Sequence, residues 1–303
     1  MQHKKIMELI PDKHKKTVTA WLIMAPSLLL FAFFVWEPLL ESIRLSLYTA
    51  QGTQLLDFVG LQNYFDVVAQ PDFFPALVNT FVYTFWSLLL GFFIPIILAV
   101  LITETVHWKG FFSMSVYFPN MIPGLATALM WVFLFSPGKT GVLNIILSAF
   151  GVQPLDWMSN PAWTIPLIVI TMTWKAAGST ALIYIAGVDS INPELYEAAA
   201  IDGAKIWGRI RYVTLPHIFG LGKTLLILQI ITVFQILYEP LAMTNGGPGN
   251  ASISLMELVY NNAFIDFNYP KAAALSVMVC IILVIITAVY FAVTKEKNED
   301  GNN

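Results

Sequence analysis

Six long apolar runs alternate with shorter polar segments along the chain. The runs cover residues 18–40, 76–103, 111–135, 162–188, 218–244 and 271–294. Each run is long enough to cross a hydrocarbon core of about 30 Å as a helix, and the first lacks the small-x-small cleavage site that would mark a signal peptide. The pattern therefore predicts an all-α, polytopic protein with one six-span transmembrane domain over 18–294, preceded by the segment 1–17 and followed by the tail 295–303.

One polar interruption, residues 191–216, is the longest in the second half of the chain. Asn192 is a good helix N-cap, and Pro193 suits the first helical position. Gly203 predicts the end of this helix, because glycine readily adopts the left-handed conformation of a C-terminal cap. A second, amphipathic helix is expected to follow and to end at Pro216. A helix–turn–helix of this size between two spans is typical of a docking element rather than a catalytic one.

Composition narrows the class of protein. The chain has 303 residues, of which 57% are hydrophobic and 12% are charged, and its mean hydropathy is +0.70. A soluble protein with this balance could not cover its surface with polar groups, so an integral membrane protein is predicted. The net charge of -3, with basic residues dispersed around the spans, argues against nucleic-acid binding. A single cysteine, Cys280, and four scattered histidines provide neither a disulfide framework nor a metal-ligand motif, and no cofactor is predicted.

The positive charges predict the orientation of the spans. Eleven of the 16 Lys and Arg residues lie in the two terminal segments and in the loops 104–110 and 189–217. The positive-inside rule then places both termini and both of these loops in the cytoplasm.

Catalysis by this chain is not predicted. Gly222-Lys223-Thr224 resembles the end of a phosphate-binding loop, but the glycine that this loop requires five positions earlier is His217, and an apolar run surrounds the motif. No Ser/His/Asp or Cys/His grouping and no paired carboxylates indicate a catalytic centre. The chain is therefore expected to be no enzyme, and any energy from nucleotide hydrolysis must come from a partner.

The interruption at 191–216 also resembles the EAA loop of the inner-membrane permease subunits of binding-protein-dependent ABC importers. The match rests on Glu197-Ala198-Ala199, Asp202-Gly203-Ala204 and Leu215-Pro216, at the spacing of that family. Ile210 departs from the family, in which an aromatic residue is common at this position, but it remains bulky and apolar. The resemblance implies contact with an ATPase subunit through Glu197, Ala198, Ala199, Asp202, Gly203, Ala204, Trp207, Leu215 and Pro216.

Further motifs extend the resemblance over most of residues 20–294. They are Ala25-Pro26, Glu37-Pro38-Leu39, Gly60-Leu61-Gln62-Asn63-Tyr64, Asn79-Thr80, Thr244-Asn245-Gly246-Gly247-Pro248 and Ala272-Ala273-Ala274. Together they are similar to the carbohydrate-uptake subfamily that includes the maltose and glycerol-3-phosphate permeases.

The resemblance implies a complete import machine. A second permease subunit, favoured to be a different chain, would pair with this one in the inner membrane of a bacterium or archaeon, within the lipid bilayer. Two cytoplasmic ATP-binding subunits would drive alternating access, and an extracytoplasmic solute-binding protein would deliver a sugar or oligosaccharide. The same machinery could instead carry a polyol or a phosphorylated glycerol. An ATP-independent secondary carrier would predict paired mid-membrane acids or an inverted repeat, and neither is evident.

Candidates for the substrate path lie inside the apolar runs. Lys175 is mid-span, where an ammonium group costs at least ~2.5 kcal/mol, so it should face protein or water. It could meet the substrate, form an ion pair within the assembly, or snorkel from a span whose boundary is misplaced. Four further side chains could stack on or hydrogen-bond to a sugar, or could simply pack in the bundle. They are Trp131, Trp174, Gln235 and Tyr238.

Overall fold

The computed structural model describes residues 12–52, 54–105 and 107–299. Strands β1 (Tyr48–Gln51) and β2 (Gln54–Phe58) form an antiparallel hairpin. The helices are α1 (Asp12–Phe31), α2 (Glu37–Leu45), α3 (Gln62–Val68), α4 (Phe73–Leu90), α5 (Phe93–Thr103), α6 (Lys109–Tyr117), α7 (Gly124–Leu134), α8 (Val142–Ser148), α9 (Pro161–Asp189), α10 (Pro193–Ile201), α11 (Ile206–Arg209), α12 (Leu215–Phe234), α13 (Tyr238–Met243), α14 (Leu255–Tyr260) and α15 (Tyr269–Glu299).

Within the described residues, five helices are long and apolar enough to cross a membrane, and a bent pair makes a sixth span. The five are Thr19–Leu45, Phe73–Thr103, Pro161–Asp189, Ile206–Phe234 and Tyr269–Thr294, and the pair joins Lys109–Met121 to Gly124–Leu134. The predicted helical membrane architecture is confirmed, and the hairpin is a small addition that the apolar pattern did not indicate. The predicted segment 1–17 lies largely outside the described residues, as does the end of the predicted tail, 300–303.

The third span differs from the single helix predicted over 111–135. Its two halves meet at an angle of 95°. The chain passes through a 3-10 turn at Phe118–Met121, and Ile122 and Pro123 then adopt extended backbone with ψ of 132° and 139°. The residue before a proline avoids the helical region for steric reasons, and proline itself cannot donate a helix hydrogen bond. Pro119 and Pro123 therefore lie at a break that divides this run into two helices.

The fifth span also differs from its prediction. It runs over Ile206–Phe234 instead of 218–244, so the helix expected to end at Pro216 continues into the membrane. Pro216 is tolerated because it lies in the first turn of α12, directly after a π-helical turn at Ile210–Thr214. The helix of the fifth span ends at Phe234, and Tyr238–Met243 form a separate short helix, α13.

Helix α9 lies at the centre of the bundle. It packs against α4, α5, α6 and α12. Ile168 and Val169 of α9 are fully buried and share a core with Tyr83 of α4 and Val233 of α12. No residue of α1 whose side chain the structure describes is buried, so the first span lies at the periphery of this chain.

Side chains connect the loops at each end of the bundle. At one end, here called the basic end, Lys109 pairs with Asp189 at 2.7 Å and joins α6 to the end of α9. At the opposite end, the Asn79 Nδ2 donates to the carbonyl oxygens of Asn250 at 2.8 Å and Ile253 at 3.0 Å. A motif at the start of the second span thus holds the loop that follows the fifth.

Candidate functional site

Residues 191–216, here called the docking segment, fold as the sequence predicts in their first half. The Asn192 side chain accepts a hydrogen bond from the Glu194 N–H at 3.1 Å and caps α10. Gly203 has a φ of +80°, and its N–H bonds to the carbonyl of Ala200 at 3.0 Å. The N–H of Ala204 bonds to the carbonyl of Ala199 at 2.8 Å, which completes the pair of bonds typical of a glycine-terminated helix.

The docking segment presents apolar side chains that the described part of the chain does not cover. Ile201 is 87% exposed and Trp207 is 80% exposed, on either side of the glycine turn. Large apolar side chains with this exposure are typical of a site of contact with a protein or a membrane. Among the predicted docking residues, those exposed are Glu197, Ala198, Asp202, Gly203, Trp207, Leu215 and Pro216, and those half-buried are Ala199 and Ala204. The structure places the last two exposed residues inside the fifth span rather than at the end of a loop.

Two features that the sequence did not indicate tie the first half of the docking segment to the fifth span, which begins inside the segment at Ile206. The hydroxyl of Tyr196 on α10 lies 3.0 Å from the Thr214 hydroxyl, at the start of the fifth span. Ile210 is 7% exposed, so the position that departs from the resembled family still supplies a buried apolar anchor. The Tyr196–Thr214 contact and the burial of Ile210 thus hold α10 against the start of the fifth span.

An open apolar groove lies beside the docking segment. It has a volume of about 1080 Å³ and runs between α5 and the start of the fifth span. Its walls include Ile97 and Leu101 on one side and Trp207 and Phe219 on the other. The two spans are thus separated by a gap at the basic end.

Two of the predicted path residues meet between the third and fourth spans, and Lys175 directly follows one of them in the chain. The rings of Trp131 and Trp174 meet edge to face, with centroids 5.7 Å apart. The neighbouring Lys175 Nζ donates to the carbonyl of Asn120 at 3.4 Å, at the break of the third span. The Trp131 Nε1 is buried and has no hydrogen-bond partner among the residues that the structure describes, so this donor lacks an acceptor there.

The other two predicted path residues lie just beyond the fifth span. Gln235 ends α12 and is exposed, and Tyr238 begins α13 and is 66% exposed. Helix α13 packs against both α7 and α9, which carry the tryptophan pair. Its Glu239 interacts electrostatically with Lys175. Glu239 was not among the predicted path residues, although an acidic residue inside an apolar run is a signal for such a site.

At the opposite end, a buried carboxyl supports the loop after the fifth span. Glu257 in α14 is 1% exposed, and its Oε2 has no hydrogen-bond partner. Burial raises the pKa of Glu257, and a hydrogen bond with the Ser254 backbone lowers it by less. The resulting pKa is about 7.

This raised pKa predicts a pH-dependent effect of Glu257→Gln. Because the pKa is higher in the folded protein than in the unfolded chain, ionisation of Glu257 destabilises the fold as pH rises from about 4.3 towards 7. The variant lacks this charge, so its melting temperature in detergent should exceed that of the native protein at pH 8 and match it more closely at about pH 4. An equal shift at both pH values would contradict this account.

Comparison with known proteins identifies the family. Residues 91–295 match the family described as the binding-protein-dependent transport system inner membrane component. The lactose transport system permease protein of Rhizobium radiobacter is 30% identical over 286 residues, covering 92% of this chain and 95% of that protein. The trehalose/maltose permease protein of Thermococcus litoralis is 29% identical, covering 95% and 97% respectively.

The fold of this chain also matches that of a solved ABC transporter. The crystal structure of a bacterial alginate ABC transporter, in complex with an alginate pentasaccharide-bound periplasmic protein, contains a chain that superimposes with a TM-score of 0.82. The two chains are 25% identical, and the match covers 93% of this chain and 96% of the other. The chain therefore belongs to the inner membrane components of binding-protein-dependent transport systems, and it is a transport subunit of an ABC importer rather than an enzyme.

Proposed function

We propose that this chain carries a sugar or oligosaccharide across the inner membrane, with its docking segment seated on an ATP-binding subunit in the cytoplasm. The observation that carries the proposal is the exposed apolar surface around the Gly203 turn. An amphipathic helix laid into a groove of a partner buries a surface of this kind. The distribution of Lys and Arg supports a cytoplasmic position for both termini and for this segment.

The carried solute is proposed from the relatives. Two relatives are named as permeases for lactose and for trehalose/maltose. The superimposed alginate transporter is in complex with a periplasmic protein that binds an alginate pentasaccharide. The proposed assembly contains a second, different permease subunit, two ATP-binding subunits and a solute-binding protein outside the membrane. Closure of the two ATP-binding subunits would move the docking segments as rigid bodies and tilt the attached spans.

Copurification tests the assembly. The chain is tagged, expressed in its native membrane and isolated gently, and the accompanying proteins are identified. We expect an ATP-binding subunit, a second permease and a solute-binding protein, and the last of these can be screened for its ligand among sugars, polyols and glycerol phosphates. Isolation of the chain alone, with solute movement in liposomes that lack ATP, would instead favour a secondary carrier.

The proposed substrate path runs past Trp131, Trp174, Lys175, Gln235 and Tyr238. The edge-to-face tryptophan pair provides apolar ring surface, and the Lys175 ammonium group is a donor for hydroxyl oxygens. Ligand sites commonly combine apolar walls with a few such polar groups.

Replacement of one tryptophan tests this path. We expect Trp174→Ala to reduce uptake about tenfold, equivalent to about 1.4 kcal/mol in the barrier, while the assembled complex still hydrolyses ATP. Trp163→Ala is the matched control. Trp163 lies in the first turn of the same helix, about three turns before Trp174, and it is 57% exposed. Equal uptake by the two variants would remove Trp174 from the path.

A further inference from the structure

One ion pair crosses the groove beside the docking segment. The Arg209 Nη2 donates to the Glu104 Oε2 at 2.9 Å, although the two residues are 105 positions apart. Glu104 directly follows α5 at the end of the second span, and Arg209 ends α11 at the start of the fifth. Both residues line the groove, whose remaining walls are mostly apolar.

The surroundings of this pair favour a directional contact. The side chains of Arg209 and Glu104 are 31% and 24% exposed. The Lys109–Asp189 pair at the same end is more exposed, at 38% and 52%. Exposed pairs contribute little because water and salt screen them, whereas breaking a more buried pair leaves a charge without compensation. A hydrogen bond between charged groups also constrains orientation more strongly than apolar contact does.

The position of the pair links the docking segment to a second span. Arg209 follows the Gly203 turn by six residues and precedes the π-helical turn that begins at Ile210. The fifth span begins at Ile206, inside the docking segment, so a displacement of that segment would carry this span with it. The second span is separated from that segment by the groove, and the Glu104 carboxylate reaches across the gap to Arg209.

We propose that the Arg209–Glu104 ion pair is a positioning element that transmits displacement of the docking segment to the second span. The proposal rests on the proposed function of that segment. When the docking segment moves, the pair draws the end of α5 along with the start of the fifth span. Without the pair, the fifth span moves alone, and ATP hydrolysis proceeds without the full rearrangement that carries solute.

Charge reversal tests the proposal in the complete complex, reconstituted in liposomes with its ATP-binding subunits and solute-binding protein. We expect Arg209→Glu and Glu104→Arg each to lower solute uptake about tenfold while ATP hydrolysis persists, so that more ATP is consumed per solute transported. The double variant, which restores a pair of opposite sign, should recover uptake to within about threefold of the native complex. Arg209→Lys keeps the charge and should retain most of the coupling.

The matched controls are the charge reversals Lys109→Glu and Asp189→Lys in the more exposed Lys109–Asp189 pair. We expect each to change the amount of ATP hydrolysed per solute transported only a little. An unchanged ratio of ATP to solute in both Arg209→Glu and Glu104→Arg, or an assembled double variant with no recovery, would overturn the proposal. Should the reversed variants fail to assemble, Glu104→Gln decides the question, because it keeps the shape and removes the charge. These outcomes are distinct from failure of the proposed function, in which the native chain would not retain an ATP-binding subunit at all.

Discussion

Gly203→Asp is expected to abolish uptake while leaving the chain inserted in the membrane. Gly203 has a φ of +80°, a conformation that Asp tolerates better than most residues, and nothing lies within 4 Å of the position a Cβ would take. The fold should therefore accept the substitution. The added carboxylate would lie beside Asp202 on the proposed docking surface, where an ATP-binding subunit would have to bury it without a partner charge. We expect uptake below about 1% of the native value and loss of the ATP-binding subunit on copurification.

The matched control is Gly151→Asp. Gly151 has a φ of +77° and equally open surroundings, but it lies in the loop after α8, before the fourth span, whereas the docking segment follows that span. The same backbone strain and the same charge should leave uptake within about twofold of the native value. Full uptake by the Gly203 variant would refute the docking role of residues 191–216.

Gly178→Ala is expected to disrupt the packing of the third span against the fourth. A Cβ at residue 178 of α9 would overlap the carbonyl of Val116 on α6, and it would approach the backbone nitrogen of Tyr117 to 2.8 Å. These are backbone atoms, so no side-chain rotation can relieve the overlap, and the two helices must separate. Overpacking that moves backbone lies at the upper end of its usual cost, about 3 kcal/mol. We expect a marked fall in the melting temperature of the purified subunit and in its yield.

Gly220→Ala supplies the control for this effect. Gly220 lies in α12, also within a span, but a Cβ there meets nothing within 4 Å. The alanine should be neutral or stabilising, because it favours helix by about 1 kcal/mol over glycine. A Gly178 variant as stable as the Gly220 variant would show that the close crossing of α6 and α9 is not required.

The sequence determined the elements whose signals are local. The apolar runs indicated the six spans, since length and hydropathy alone decide which segments partition into a bilayer. Asn192, Pro193 and Gly203 indicated the bounds of α10, because helix caps depend on the conformation of single residues. The resemblance in residues 191–216 indicated the family, which the match over residues 91–295 confirmed.

Only the tertiary structure decided which distant residues meet and where apolar runs break. Hydropathy does not distinguish an unbroken span from two halves at 95°, or a span over 218–244 from one that starts at Ile206 and ends at Phe234. The Arg209–Glu104 pair, the contact of Asn79 with the loop at 250–253, and the burial of Glu257 all join segments that no local pattern connects. Such contacts depend on how helices pack around α9, because only packing sets the distance between side chains that lie far apart in the chain.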